Sequence, residues 1–154
     1  MTAATILTSS QRDFLRSARR GVLATIAMDG EPRLVPICFV LDDERPVLYS
    51  PLDEKPKHVS NPADLARVRD IGRDPRVSIL VDRWDEDWTR LAWLRCQGTA
   101  ALLDPGHDPA GERASAIEAL RLKYPQYRSH DLAARPLIRI AIERVIGWGR
   151  LEPG

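Results

Sequence analysis

The stretch Val47-Leu-Tyr-Ser-Pro-Leu-Asp-Glu-Lys-Pro-Lys57 reads as a short apolar strand running into a loop. Val47, Leu48 and Tyr49 suit a sheet. The strand breaks at Ser50-Pro51, because each proline removes a ladder donor. The loop so defined carries Ser50, Lys55 and Lys57. One hydroxyl and two ammonium groups at a strand end can grip a phosphate, the lysines as point charges and the hydroxyl as a donor. The same residues also read as a solvated lysine loop, since most lysine lies at the surface.

Upstream of this stretch, Ser10 is a helix N-cap with Asp13 three residues on, and Phe14, Leu15 and Ala18 share one side of a short helix ending near Arg20-Gly21. Gly21 to Met28 reads as a strand, and Asp29-Gly30 as a hairpin turn. Arg33 to Leu41 is a second strand, with Pro36 in its middle. Proline is tolerated at an edge or a bulge, so a break there leaves backbone groups free to meet something other than a strand. Asp42 to Arg45 is the turn before Val47.

Downstream, Asn61-Pro62 caps a helix that carries Leu65, Val68 and Ile71 at helical spacing, stops at Gly72, and projects Arg67, Arg69 and Arg73. Arg76 to Asp82 is a β-branched strand. Asp82 to Arg90 is a polar loop holding Trp84 and Trp88, and Leu91 to Leu103 is a long strand bent at Gly98. Asp108-Pro109 caps a helix with Ala110, Ala114, Ile117, Leu120 and Tyr124 on one stripe. Leu137 to Val145 alternates cleanly, with Ile138, Ile140 and Ile142 inward and Arg139 and Glu143 outward. Six strands in mostly hairpin order, with a few short helices, predict a mainly β chain: a small six-stranded antiparallel barrel.

At 154 residues the chain is expected to form one domain over 1–154, with residues 1–9 flexible. Lys plus Arg is 23 and Asp plus Glu 22, so a net charge of +1 gives no sequence-wide attraction to nucleic acid or anionic membrane. No stretch approaches the roughly 20 apolar residues of a membrane span, and the first residues lack the pattern of a signal peptide, so the expected location is the cytoplasm. Cys38 and Cys96 lie far apart in apolar runs and read as core residues. His58, His107 and His130 are at no metal-ligand spacing.

The chain has no dinucleotide fingerprint, no P-loop, no nucleophile elbow and no zinc-protease motif. Asp85, Glu86 and Asp87 are adjacent, which reads as a solvated loop and not as a catalytic pair. No side chain stands out as acid, base or nucleophile. What remains is a site for a phosphorylated planar ligand that carries the chemistry itself. Ser50, Lys55 and Lys57 could hold the phosphate, and the backbone around Val35, Pro36 and Ile37 could lie against a ring. Trp88 either stacks on that ring or packs in a core or interface, and Arg90 lies near a polar tail. Arg69 is the candidate among the helix arginines.

The ordered set Gly21-Val-Leu-Ala-Thr-Ile26 with Asp29-Gly30, Arg33-Leu-Val-Pro-Ile37, Tyr49-Ser50 with Lys55-Pro-Lys57, and Arg73-Asp-Pro-Arg-Val-Ser-Ile-Leu-Val-Asp82 resembles the pyridoxamine 5′-phosphate oxidase-like split β-barrel family. The run Asp82 to Arg90 and the ending Arg144-Val-Ile-Gly-Trp-Gly149 resemble the actinobacterial branch that uses the deazaflavin coenzyme F420. The likeness runs from about Ser10 to Gly149 and rests on order and spacing. It implies the FMN-binding split-barrel fold and a homodimer with two cofactor sites at the subunit interface. It implies that Ser50, Lys55 and Lys57 hold the cofactor phosphate, beside Tyr49 and Pro56. Val35, Pro36 and Ile37 would lie along the deazaflavin, and Trp88 would approach from the partner subunit. Flavin-using relatives often carry Ser-Arg-Lys on the phosphate loop; here it reads Glu54-Lys55-Pro56-Lys57, which leaves coenzyme F420 and FMN both open. The implied activity is hydride transfer between C5 of the reduced deazaflavin and a small conjugated acceptor, with no catalytic side chain demanded. The alternatives are an FMN-dependent oxidase or reductase, and a non-catalytic F420-binding protein.

Overall fold

The computed structural model describes residues 7–52 and 65–153. Its framework is a curled antiparallel sheet of seven strands: β1 (Gly21–Ile26), β2 (Pro32–Ile37), β3 (Val40–Leu41), β4 (Val47–Pro51), β5 (Arg76–Arg83), β6 (Ala92–Leu103) and β7 (Leu137–Gly149). Their order across the sheet is β2-β1-β5-β6-β7-β4-β3. The two edge strands, β2 and β3, are separated in sequence by Cys38 and Phe39 alone, so the sheet must curl until its edges nearly meet. Among the described residues three α-helices accompany it: α1 (Ser9–Ser17), α2 (Ala66–Arg73) and α3 (Glu112–Lys123).

The expected six strands are seven because the second one divides, and it divides at Phe39 and not at Pro36. Pro36 stays paired with Val22, and β2 lies at the sheet edge, where proline is tolerated. At Phe39 the backbone leaves the ladder: its N–H donates to the Tyr124 hydroxyl (3.2 Å), which donates to the Phe39 carbonyl (3.1 Å). The Phe39 ring is fully buried. Ser50 is also not in a loop. β4 pairs with β7 as far as Pro51 and Leu137, and proline is acceptable at this last strand residue.

The inward faces form one core around Leu23, Leu48, Ile79, Leu94, Ile138 and Ile140, each with no exposed surface. A second cluster lies outside the curl, where Ala116, Ile117 and Leu120 of α3 cover Val47 and Tyr49 of β4 and Leu137 of β7. The expected Ala110 and Ala114 are exposed instead. The Asp108 carboxylate accepts the Arg113 and Ala114 N–H groups at the start of α3 (2.9 Å each), while Gly111 takes the left-handed N-cap position (φ +72°). α1 is capped by Thr8 and Gln11 in a reciprocal box, not by Ser10 and Asp13. Leu7 is 7% exposed in the core and Thr8 caps α1. The expected Asn61-Pro62 cap lies outside the described residues; α2 runs from Ala66 through Gly72 to Arg73.

Candidate functional site

Among the described residues β2 pairs with a strand on one side only, so backbone groups on its second edge are free to meet a ligand. Val35 and Ile37 turn toward the core, opposite Leu23 and Gly21, while Leu34 and Pro36 turn outward, opposite Ala24 and Val22. At the far end of β2 the Ser50 hydroxyl donates to the Cys38 carbonyl (2.8 Å). That bond joins the end of β4 to the residue following Ile37, so two of the three candidate pieces are adjacent. It also corrects the expected placement of Ser50: the residue is 1% exposed and its hydroxyl proton is committed to the barrel.

Tyr49 points the other way, into the α3 cluster, with 2% exposure. Its hydroxyl donates to Glu112 Oε1 (2.6 Å) and accepts from Arg45 (3.1 Å), and Arg139 Nε donates to the same carboxylate oxygen (2.6 Å). Burial, then the Glu112 hydrogen bond, push the phenol far above its ordinary range. A cavity of about 480 Å³ lies here, between the 42–45 turn and the start of α3, away from β2.

Lys55, Pro56 and Lys57 lie outside the described residues. Arg69 is exposed on α2. Trp88 and Arg90 form a 3-10 turn between β5 and β6. Trp88 is 69% exposed, so it packs in no core of this chain, while Arg90 pairs with Asp85 (3.4 Å). Trp93, half-buried, stands across from Trp148 on the outer sheet face.

The sequence reading missed Asp70. This α2 carboxylate is 2% exposed. Its Oδ2 accepts from the Thr25 hydroxyl (2.7 Å) and Arg33 Nε (2.8 Å), and its Oδ1 from Arg73 Nη2 (3.2 Å). Burial would raise its pKa, but these three donors outweigh it and hold the carboxyl below its ordinary value. The available signal was an acid at position 70 between Val68 and Ile71 on the buried side of an arginine-rich helix.

The profile of the pyridoxamine 5′-phosphate oxidase family matches residues 7–149. The chain belongs to this family. Pyridoxamine 5′-phosphate oxidase-like barrels are usually dimers and generally bind FMN or a related cofactor. Among solved structures, a conserved hypothetical protein of Mycobacterium tuberculosis is 23% identical, with 97% of this chain and 89% of that one covered and a TM-score of 0.70. A protein of unknown function from Agrobacterium tumefaciens is 20% identical over 96% of this chain and 62% of that one, with a TM-score of 0.69. The heme storage protein HutZ of Vibrio cholerae is 15% identical over 92% and 94%, with a TM-score of 0.68. At these identities the likeness establishes the oxidase-family fold. Among the described residues, no cluster of His, Cys, Asp or Glu could hold a metal ion, and no helix is long and apolar enough to cross a membrane.

Proposed function

We propose that this protein binds coenzyme F420 and supports hydride transfer between the deazaflavin and a small conjugated acceptor. The observation that carries the reading is the open edge of β2 at Val35, Pro36 and Ile37, beside the end of β4 that leads into the lysine-bearing stretch. The pyrimidine edge of a flavin or deazaflavin alternates carbonyl and N–H groups, and alternate residues of an unpaired strand edge turn backbone groups toward such a ring, Pro36 as an acceptor only. The residues present therefore fit such a ring. The sequence likeness at Asp82 to Arg90 and Arg144 to Gly149 favours the deazaflavin.

In this reading Lys55 and Lys57 hold the phosphate, with Ser50 as the fixed point from which that segment departs. Val35, Pro36 and Ile37 orient the ring, and Trp88 of a second copy covers it and excludes water, with Arg90 near the polar tail and Arg69 as a further cationic contact. When bound, the deazaflavin supplies the hydride-carrying carbon, so the chain's task is orientation and desolvation. FMN is the second reading, favoured by the family as a whole.

Fluorescence titration with each cofactor tests the choice. Tight F420 binding with weak FMN binding is expected; tight FMN binding without F420 binding overturns it. Lys57→Ala should weaken F420 binding by about 1–3 kcal/mol, the scale of a charge-assisted hydrogen bond. Unchanged affinity would place the phosphate elsewhere. Tight F420 binding with no acceptor reduced faster than in free solution would make the protein a carrier.

A further inference from the structure

Arg33 and Arg73 share the buried carboxylate of Asp70, but they use it differently. Arg73 commits one nitrogen to both the Ile26 carbonyl (2.8 Å) and Asp70 Oδ1 (3.2 Å), and so ties α2 to β1. Arg33 reaches Asp70 only through Nε (2.8 Å), and its side chain is 46% exposed. A guanidinium that serves only as a brace gains most from two parallel bonds to a carboxylate. Here the second oxygen is occupied by Arg73, and the Thr25 hydroxyl fixes the rotation of the first (2.7 Å). The Nη groups of Arg33 make no hydrogen bond to this carboxylate and belong to a side chain that is 46% exposed. Two guanidiniums against one carboxylate leave a local charge of +1. Arg33 stands two residues before Val35 on the same face of β2, about 7 Å away.

We propose that Asp70 is a positioning residue: with Thr25 it aims Arg33 so that the two Nη groups receive an anionic group of a ligand lying along β2. The inference rests on β2 being the ligand-bearing strand. The anion is a phosphate or a carboxylate, since either matches the planar fork.

The test follows the Arg33 Nε–H resonance in the ¹⁵N-labelled full chain, assigned by its loss in Arg33→Lys. Inorganic phosphate should shift it saturably, and chloride at matched ionic strength should not. Asp70→Asn should weaken the phosphate response by about fivefold to tenfold, the scale of one charge-assisted hydrogen bond. Thr25→Ala, a smaller change, should weaken it in the same direction if Asp70→Asn does not fold. A stronger response to glutarate than to phosphate also supports the proposal and names a carboxylate. An Arg33 resonance unmoved by either anion, or a phosphate affinity unchanged by both variants, overturns it and leaves Asp70 as a brace for α2. If phosphate binds at Arg33 while neither F420 nor FMN binds the wild type, the cofactor reading fails and this one stands.

Discussion

Lys123 ends α3 with its ammonium 4.3 Å from the centre of the Phe39 ring and 5.4 Å from that of Tyr124. Its one oxygen contact among the described residues is the Leu15 carbonyl, at 3.5 Å. Burial, then the nearby Arg19 guanidinium, push its pKa down from 10.5 to about 8, against a smaller pull from Cys38. The unfolded chain therefore holds the Lys123 proton in a window where the folded chain has released it, and folding stability rises with pH above about 8. Cys96 acts in the opposite sense: burial raises its thiol from 9.0 to about 12, so stability falls as pH climbs past 9. The Lys123 contribution is therefore cleanest between pH 8 and 9. Urea unfolding of wild type and Lys123→Met should show the wild type gaining on the variant across that window. A constant difference between them would mean that the amine is solvated as an ordinary lysine.

The longest pairing in the sheet, β6 with β7, bends where Gln97 and Gly98 face a register shift. A Cβ on Gly98 would fall 1.9 Å from the Ala141 carbonyl oxygen, a backbone atom that cannot swing aside. Gly98→Ala should therefore destabilise the fold by about 2–4 kcal/mol in urea melts, and near-neutral behaviour would mean that the bulge moves freely. This bend is legible in the sequence, because a glycine inside a long strand pattern has few other uses. β5 and β7 are legible for a similar reason: Val77, Ile79 and Val81, and Ile138, Ile140 and Ile142, keep period two against one core. The division between β2 and β3 is not legible, because the Tyr124 hydroxyl that replaces the ladder at Phe39 lies 85 residues away. The burial of Ser50 is hidden in the same way, since Pro51 signals a strand end while pairing with Leu137 carries the strand one residue further. The open edge at Val35 to Ile37 could be reached from Pro36 alone. Asp70 could not, because Arg33 and Thr25 lie 37 and 45 residues from it and meet it only once α2 is packed.

On the outward side of the sheet the strands bring together residues far apart in the chain. The register aligns Pro36, Val22, Leu80 and Arg95 in one row, and Asp82, Trp93 and Trp148 in the next. Leu34 (66%), Leu80 (41%) and Trp148 (54%) expose large apolar surface on this face. Apolar groups grouped on one sheet face are a common mark of an interface. A second copy of this chain is the occupant that fits the proposed function, because Trp88, 69% exposed, could cover the β2 site of a neighbour. A two-fold interface is isologous, so any substitution in it counts twice. Leu80 is already partly buried, so its remaining surface is worth about 1–2 kcal/mol per chain on pairing. Leu80→Glu should then raise the dimer dissociation constant roughly 10–1,000-fold, and further if the carboxylate is buried without a partner. Light scattering across a dilution series measures this. F420 titrated under the same conditions should weaken in step with the loss of dimer if Trp88 completes the neighbouring site. A variant that becomes monomeric yet binds F420 as tightly as wild type would place the whole cofactor site within one chain.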